Sequence, residues 1–300
     1  MISPQTLKPQ RTIDIVYRRS TDLGKTWSPI ELLEPIDDGG CIDPSLVLDS
    51  NTGSIFCFYN YMVRDTSNNE FRFFVQKSID HGKSWGKPID FTDQVAGPKL
   101  KNSFKFITSG RGIQTRNGML LHNFVRVDEG VTLFASHDHG ETWKPFCDVS
   151  PGDESKVVQL ADDSLMVNSR MEPGKRFVHR STDGGNSWES AAELGLPDPR
   201  CNACIIQYTS KRDGYSKDRL IFCNAASVEG RKNLAARISY DNGKTWSAGK
   251  VIDRGPSSYS EITVLSDGSM GVIYEPGHAE IRFVRFTLEA LTDGADKVVD

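Results

Sequence analysis

The chain lacks several features that would place it in a membrane or on a nucleic acid. It contains no apolar run near the roughly 20 residues that span a bilayer, and the stretch MISPQTLKPQRTIDIV lacks the hydrophobic core of a signal peptide. It also contains no long basic run to follow a phosphate backbone, because its 36 basic and 40 acidic residues are mixed along the sequence. These absences predict no membrane span and no nucleic-acid partner, and they leave the cellular compartment undetermined.

Cysteine and histidine are too few and too scattered to predict a metal site. Cys201 and Cys204 form one C-x-x-C, but no second pair and no nearby His-x₃-His accompanies them. No βαβ pattern surrounds the pair either, as a thioredoxin-like redox motif would require. We therefore expect neither a metal nor an organic cofactor, and we expect the cysteines to act as small buried hydrophobes.

The chain does contain one motif five times, Ser-x-Asp-x-Gly-x-(Thr/Ser)-Trp, and all five of its tryptophans lie in it. We call each copy a box. The box aspartates follow one another at intervals of 58, 58, 45 and 58 residues. Such a period suits a propeller blade of four strands better than a solenoid repeat. The box aspartates are Asp22, Asp80, Asp138, Asp183 and Asp241.

Each box has the composition of a tight hairpin. An alternating stretch such as IDIVYRRS or VTLFASH precedes it and predicts a strand. The aspartate can accept backbone N–H groups of its own turn, and the glycine two residues later supplies a positive φ. The tryptophan is expected to fold back as an apolar plug. Because a residue repeated around a ring cannot mark one site, we interpret the boxes as scaffold.

Further strand pairs recur between the boxes. Four segments give a strand, a polar turn and a second strand, and only FTLEALTDG indicates a short helix. These patterns predict an all-β propeller that forms a single domain over residues 1–300, without linkers. The four segments are DPSLVLDSNTGSIFCFY, GIQTRNGMLLHNFV, KVVQLADDSLMVNS and ITVLSDGSMGVIYE.

The boxes and these inner strands resemble the sialidase (neuraminidase) family over nearly the whole chain. The resemblance implies a six-bladed β-propeller, here with the first blade incomplete on its N-terminal side. GPSSYSEITVL looks like the strand of the family's nucleophile and makes Tyr259 the candidate. DESKVVQL is similar to the segment with the activating glutamate, which falls on Glu154. A neutral tyrosine activated by a carboxylate avoids the repulsion between an anionic nucleophile and the carboxylate of sialic acid.

The resemblance also implies substrate-binding residues. LMVNSR matches the strand with one carboxylate-binding arginine, Arg170, and GRKNLAARISYDNGKTW resembles the segment with another, Arg231. Guanidinium groups suit this task because they bind both carboxylate oxygens in a plane. IDPSLVLD places Asp43 beside the sugar's N-acetyl arm, and GVIYE ends in Glu275, which steadies the first arginine of the family's triad. We expect Asp43, Glu154, Arg170, Arg231 and Tyr259 to converge in a pocket at the propeller axis.

The implied activity is that of an exo-α-sialidase that retains configuration and needs no metal or cofactor. Its implied partners are sialylated glycans, namely glycoproteins, glycolipids and oligosaccharides, and family members are often secreted or periplasmic. Two alternatives stay open: a sialoglycan-binding propeller with impaired catalysis, and a scaffold propeller without a sugar site. A sialoside with a good leaving group separates them, because its cleavage barely needs a general acid.

The chain departs from the family pattern at its N-terminus. No Arg-Ile-Pro strand with the first triad arginine occurs, and Lys8 stands about where the general-acid aspartate is expected, ahead of Asp14. We expect this loss to reduce activity by about 10² to 10⁴. One hypothesis is that the reading frame extends upstream by about 50 to 60 residues, one blade, and the presence of Glu275 favours it. The other is a degenerate family member.

Overall fold

The computed structural model describes most of the chain, and that part is β-sheet with almost no helix. The described residues are 13–33, 40–65, 68–97, 104–277 and 280–298. Within these ranges the only α-helices are two single turns, α1 (Thr92–Val95) and α2 (Leu288–Leu291). Neither is long and apolar enough to cross a membrane. The short helix predicted in FTLEALTDG is confirmed as α2.

The described strands form one two-stranded ribbon and five larger sheets, which we name blades A to E in chain order. The ribbon consists of β1 (Val16–Tyr17) and β2 (Glu31–Leu32). Blade A contains β3 (Gly40–Asp49), β4 (Ser54–Asp65), β5 (Asn68–Ser78) and β6 (Ile89–Asp90). Blade B begins with β7 (Lys105–Ile107) and, after β8 (Gly110–Arg111), continues with β9 (Ile113–Gln114), β10 (Leu120–Arg126), β11 (Gly130–Ser136) and β12 (Lys144–Val149).

The other three blades are more regular. Blade C contains β13 (Ser155–Gln159), β14 (Leu165–Arg170), β15 (Arg176–Ser181) and β16 (Glu189–Glu193). Blade D contains β17 (Cys204–Thr209), β18 (Arg219–Ala225), β19 (Lys232–Ser239) and β20 (Lys250–Pro256). Blade E contains β21 (Ser260–Val264), β22 (Met270–Tyr274) and β23 (Arg282–Phe286). The protein is therefore an all-β propeller with five blades of three or more strands.

Within a blade, consecutive strands pair antiparallel from the inner strand outward. The four inner strand pairs expected from the sequence are confirmed as β3–β4, β9–β10, β13–β14 and β21–β22. β8 is the exception, because it leaves blade B and pairs in parallel with β3 of blade A. The inner edge of blade B is therefore interrupted between β7 and β9.

Hydrogen bonds within each box explain why the five copies share the same spacing. In all five copies the serine hydroxyl donates to the aspartate Oδ1 and accepts the glycine N–H, both at 2.7–2.8 Å. The aspartate Oδ1 also accepts the N–H of the Thr or Ser before tryptophan at 2.9 Å. The glycine has the expected positive φ, and so does the residue before it, even Leu23 with φ 62°. The predicted tight hairpin is confirmed.

The box tryptophans pack into the interface with the preceding sheet, and two of them also contact their own blade, Trp143 at Phe134 and Trp246 at Phe222. Trp143 of blade B contacts Phe58 of blade A with ring centroids 5.0 Å apart, and Trp85 of blade A contacts Tyr17 of the ribbon at 6.0 Å. Trp27 of the ribbon contacts Phe283 of blade E at 5.2 Å. Only Trp143 is fully buried, whereas Trp27 is 36% exposed. The predicted plug is thus complete at one box and partial at the others.

The hydrophobic core follows the same arrangement. It consists of separate apolar clusters, each filling the space between two consecutive sheets. The cluster between blades A and B, for example, contains Phe56, Phe58, Phe124, Phe134 and Trp143. The aromatic box residue therefore contributes to the interface that locks one sheet to the one before it.

Gly24 provides a test of the contact between the ribbon and blade E. Its φ is +81°, and a Cβ built there would lie 2.0 Å from the Phe283 ring. Gly53 is a matched control, because its φ is +75° but no atom lies within 4 Å of such a Cβ. We expect Gly53→Ala to lower the free energy of unfolding by about 1 to 2 kcal/mol for the left-handed backbone. Gly24→Ala should cost about 1 to 3 kcal/mol more for overpacking. Equal losses in urea unfolding would contradict this contact.

Candidate active site

A cavity of about 500 Å³ opens on the face of the propeller where the inner strands begin. Glu154 immediately precedes β13, Tyr259 immediately precedes β21, and Asp43 lies in the first half of β3. Arg170 is the last residue of the antiparallel β14 and so reaches the same face. These four residues all line the cavity. The sequence segments that predicted them therefore meet in space.

Glu154 and Tyr259 occupy equivalent positions in blades C and E. The Arg170 N–H donates to the Glu154 carbonyl at 2.9 Å, and the Glu275 N–H donates to the Tyr259 carbonyl at 3.0 Å. Each backbone bond extends the inner strand pair of its blade by one residue. The carboxylate and the phenol thus project from rigid strand ends rather than from free loops.

The guanidinium group of Arg170 joins the other two side chains. Its Nη1 donates to Glu154 Oε2 and, at 3.1 Å, to the Tyr259 hydroxyl oxygen. Glu154 is 2% exposed, so its charge is screened little by water. Burial raises the pKa of the Tyr259 phenol well above its ordinary value, and the Glu154 carboxylate raises it further. The phenol is therefore neutral, and the carboxylate beside it is the group placed to take its proton.

Asp153 holds Arg170 from the other side. Its Oδ2 lies 3.5 Å from Arg170 Nε, while its Oδ1 accepts the Glu154 N–H at 2.7 Å. Burial lowers the pKa of Arg170, but the two carboxylates outweigh this effect and raise it. Asp153 is not among the site residues predicted from the sequence, although it stands next to Glu154 in PGDES and lines the cavity.

Asp43 lines the same cavity as Glu154, Arg170 and Tyr259, and it lies at an irregularity of β3 where its φ is 55°. The buried Asn60 donates to Asp43 Oδ2 at 3.2 Å and to the Ile107 carbonyl at 3.0 Å, which ties blade A to blade B. Burial, together with the negative charges of Glu154 and Glu275, raises the pKa of Asp43 to about 6, although the Asn60 hydrogen bond lowers it. Asp43 therefore changes its charge near neutral pH.

The raised pKa of Asp43 predicts a pH-dependent stability. The native chain binds the Asp43 proton more tightly than the unfolded chain does. Protonation of Asp43 therefore adds to the free energy of unfolding below about pH 4, and this contribution is lost as the pH rises through about 6. Asp43→Asn cannot ionise. We expect its free energy of unfolding to exceed that of the wild type by about 2 to 3 kcal/mol near pH 8, a difference that disappears on acidification. Urea unfolding at several pH values measures it.

The box residue Asp22 is a control of opposite sign for this prediction. Hydrogen bonds from Thr26 and Ser20 lower the pKa of Asp22 to about 2. Ionised Asp22 therefore adds to the free energy of unfolding above the ordinary carboxyl pKa near 4, and this contribution is lost as the pH falls toward 2. Asp22→Asn should be less stable than the wild type at neutral pH and equal to it in strong acid. A pH-independent effect of Asp43→Asn would contradict the assignment.

The guanidinium group of Arg231 packs on the ring of Tyr259. Its guanidinium carbon lies 5.3 Å from the centroid of the Tyr259 ring, and its Nη1 donates to Ser258 Oγ at 3.0 Å. It is exposed and does not belong to the residues that line the cavity. Arg200, which the sequence analysis did not select, lines the cavity instead, and its carbonyl accepts from Arg231 Nη2 at 3.4 Å. A lone arginine in the turn PDPRC carries no local signal of this placement.

Glu275 follows β22 and is half-buried beside these groups. Its backbone binds Tyr259 and Ser258, and its carboxylate is close enough to raise the pKa of Asp43. Among the residues that the structure describes, no arginine or lysine pairs with this carboxylate. Lys8, the residue at the expected position of the general acid, lies outside the described residues.

The remaining wall of the cavity combines apolar and acidic side chains. The rings of Phe104 and Phe106 contact each other in a tilted arrangement with centroids 5.6 Å apart, and Val125 and Val127 continue the apolar surface. Carboxylates other than Asp43 and Glu154 lie at the rim. They are Asp128, Glu129, Asp153 and Glu172. The cavity thus offers an arginine-bearing side, an apolar side and an acidic rim.

Comparison with known proteins gives consistent results. Residues 10–272 match the family described as "BNR repeat-like domain". The chain is 35% identical over 306 residues to a sialidase of Micromonospora viridifaciens, and 29% identical over 308 residues to a sialidase of Bacteroides fragilis strain YCH46. Each alignment covers 91% of this chain. The structure of the Hadza microbial sialidase Hz136 superimposes with a TM-score of 0.83 at 28% identity, over 93% of this chain.

These relatives are longer than the present chain. The alignments cover 46% of the Micromonospora protein and 56% of the Bacteroides protein, and the superposition covers 60% of the Hz136 chain. The chain therefore spans about half the length of the curated relatives that it matches.

Proposed function

Because the chain belongs to the BNR-repeat, or Asp-box, sialidase family, we propose that it is an exo-α-sialidase that releases terminal sialic acid from sialylated glycans. The observation that carries the proposal is the shared contact of Arg170 Nη1 with the Glu154 carboxylate and the Tyr259 hydroxyl. It brings a neutral phenol, a buried base and a fixed positive charge together in one cavity.

In this proposal Tyr259 is the nucleophile. Its oxygen attacks the anomeric carbon, its proton passes to Glu154, and the bond from that carbon to the aglycone oxygen breaks. The aglycone oxygen leaves with the bonding electrons and takes up a proton from solvent. Water then attacks the anomeric carbon, the bond from that carbon to the Tyr259 oxygen breaks, and the proton lost by the water passes to solvent, so that two inversions give net retention. Glu154 takes the proton of the nucleophile in the first step and returns it in the second. The high pKa of the phenol makes this base necessary.

Arg170 and Arg231 are the proposed partners of the substrate carboxylate, and Asp43 the acceptor beside the N-acetyl arm. A planar guanidinium can bind both carboxylate oxygens, and it keeps its charge at all relevant pH values. Arg231 contacts the Tyr259 ring, so it is placed to join Arg170 with a side-chain rotation.

A binding protein with impaired catalysis is the second candidate. It is favoured by one observation, that the Glu275 carboxylate has no cationic partner in the described ranges. The family pattern places the first triad arginine there. A site that lacked that arginine and a general acid would hold the substrate carboxylate more weakly and would cleave natural glycosides slowly.

We also propose that the propeller has six blades in one domain, with the first blade incomplete. The ribbon carries a box between its two strands, as do the outer strands of blades A to D. Trp27 packs on blade E in the way that the other box tryptophans pack on the sheet before them. The ribbon thus has the composition and contacts of the outer half of a blade between E and A.

Turnover of two sialosides tests the proposed activity. One carries a fluorogenic phenolic aglycone, which leaves without protonation, and the other is sialyllactose, which requires an acid. Cleavage of the first supports the enzyme, and the ratio of the two rates measures how far acid catalysis contributes. Binding of sialyllactose without cleavage of either compound would favour the second candidate. If the protein neither binds nor cleaves either sialoside, both candidate functions are contradicted.

A further inference from the structure

One ion pair lies directly below the proposed catalytic pair. Lys156 Nζ is 3.1 Å from Glu261 Oε2, and the side chains are 2% and 15% exposed. Lys156 belongs to β13 and Glu261 to β21, the inner strands of blades C and E. The ion pair therefore links two blades that are not neighbours in the sequence, and it does so near the propeller axis.

The register of the strands relates this pair to the site above it. Lys156 follows Glu154 by two residues, and Glu261 follows Tyr259 by two. In an extended strand residues i and i+2 project from the same face. Both strands remain hydrogen-bonded through Glu154 and Tyr259, so this alternation holds at the site. Glu154 and Tyr259 thus form one layer across the two strands, and Lys156 and Glu261 form the next layer.

A third element completes the contact. The segment between β7 and β9 leaves blade B, and the Ser109 carbonyl accepts from Lys156 Nζ. The same carbonyl accepts from Asn202 Nδ2 at 3.2 Å. Gly110 makes room for the ions, because a Cβ there would lie 2.1 Å from Glu261 Oε2 and 2.2 Å from Lys156 Nζ. Elements from blades B, C and E therefore converge on this pair, and Asn202, just before blade D, shares the Ser109 carbonyl.

We propose that Lys156 and Glu261 are positioning residues that set the separation between the Glu154 carboxylate and the Tyr259 hydroxyl. The proposal rests on the proposed function, since it concerns the geometry of that reaction. Removing either charge leaves the other buried without its partner, which favours movement of β13 relative to β21. A displacement of about 1 Å at the reacting groups can cost about 10²-fold in rate.

The pair acts through placement rather than through its charge. The charges that act most strongly on the Tyr259 phenol are those of Glu154, Arg170 and Arg231. Lys156 and Glu261 also neutralise each other, so their combined field at the phenol is small. Neither residue lines the cavity, and neither is placed to touch the substrate.

The variant Glu261→Gln tests this role, with Asp296→Asn as the control. Asp296 forms a comparable buried ion pair with Arg219, at 2.7 Å and with 4% and 1% of the side chains exposed, but it holds the α2 segment far from the cavity. Both variants should lower the melting temperature. We expect only Glu261→Gln to lower kcat, by about 10- to 100-fold, with little change in KM. The crystal structure of each variant gives the Glu154–Tyr259 separation, which should increase only in Glu261→Gln.

The two readouts separate this inference from the proposed function. If the wild type turns over no sialoside, the proposed function is wrong. The Glu154–Tyr259 separation in the variant structures still tests whether the Lys156–Glu261 ion pair positions these two residues. An unchanged separation in Glu261→Gln would overturn the inference whatever the activity. So would an increased separation with an unchanged kcat in an active enzyme. If Glu261→Gln does not fold, Lys156→Met combined with Glu261→Met removes both charges and is examined by the same measurements.

Discussion

Replacing Tyr259 by phenylalanine is expected to lower kcat on every sialoside by at least about 10³-fold, since it removes the proposed nucleophile. The ring and its contact with Arg231 remain, so substrate binding should change much less than turnover. The loss should be equally large for activated and natural aglycones, because the nucleophile acts on both. Steady-state kinetics with the fluorogenic sialoside measures kcat, and calorimetric titration of the variant with sialyllactose measures binding.

Tyr208 offers a matched control for this substitution. It is 9% exposed, and its hydroxyl donates to the Gly268 carbonyl at 2.7 Å. Tyr208→Phe should cost about 1 kcal/mol of stability for one lost hydrogen bond and leave kcat unchanged. If Tyr259→Phe keeps kcat within about tenfold of the wild type, the assignment of the nucleophile is wrong, even if the protein is a sialidase.

The largest expected effect on stability comes from Arg176. Its Nη1 lies 3.1 Å from Asp198 Oδ2, and both side chains are completely buried. The same guanidinium donates to Asn168 Oδ1 and the Cys201 carbonyl. Arg176→Met would leave the Asp198 charge buried without its cation. We expect the free energy of unfolding to fall by about 3 to 5 kcal/mol, which is measured by urea unfolding.

Two further variants make the Arg176 prediction specific. Arg285 pairs with Asp267 on the surface, and Arg285→Met should cost less than about 1 kcal/mol. Adding Asp198→Asn to Arg176→Met removes the orphaned charge and should recover part of the loss. If Arg176→Met costs no more than Arg285→Met, the buried pair does not hold blade C to the segment before blade D. The same segment carries Arg200, so cavity geometry depends on it.

The sequence predicted the hairpins well because each box is a local structure. The Asp138 carboxylate, for example, binds the Thr142 N–H and hydroxyl, four residues away. Such contacts are encoded within eight residues and do not depend on the rest of the chain. The positive φ of Leu23 was not expected, because a leucine pays a steric cost there. The box hydrogen bonds hold it in that conformation.

The site was predictable only through the family resemblance. Tyr259 contacts Arg170 across 89 residues of sequence, and no periodicity links a tyrosine in a Gly/Pro/Ser-rich turn to that arginine. The roles assigned to Tyr259, Glu154, Arg170, Arg231, Asp43 and Glu275 stay predictions until the variants are measured. The roles of Lys156 and Gly110 could not be predicted from the sequence, because their contacts form only where three blades meet at the axis.

The packing of each box tryptophan on the sheet before it has a consequence for how the chain folds. Most of these interfaces join neighbouring segments, so assembly can begin at any of them and spread stepwise along the chain. The contact between Trp27 and Phe283 is different, since it joins the two ends of the described chain. Its loop-closure entropy is the highest of the series. We therefore expect ring closure to be the slow, late step of folding, and the seam between ribbon and blade E to be the place where the native ring opens first.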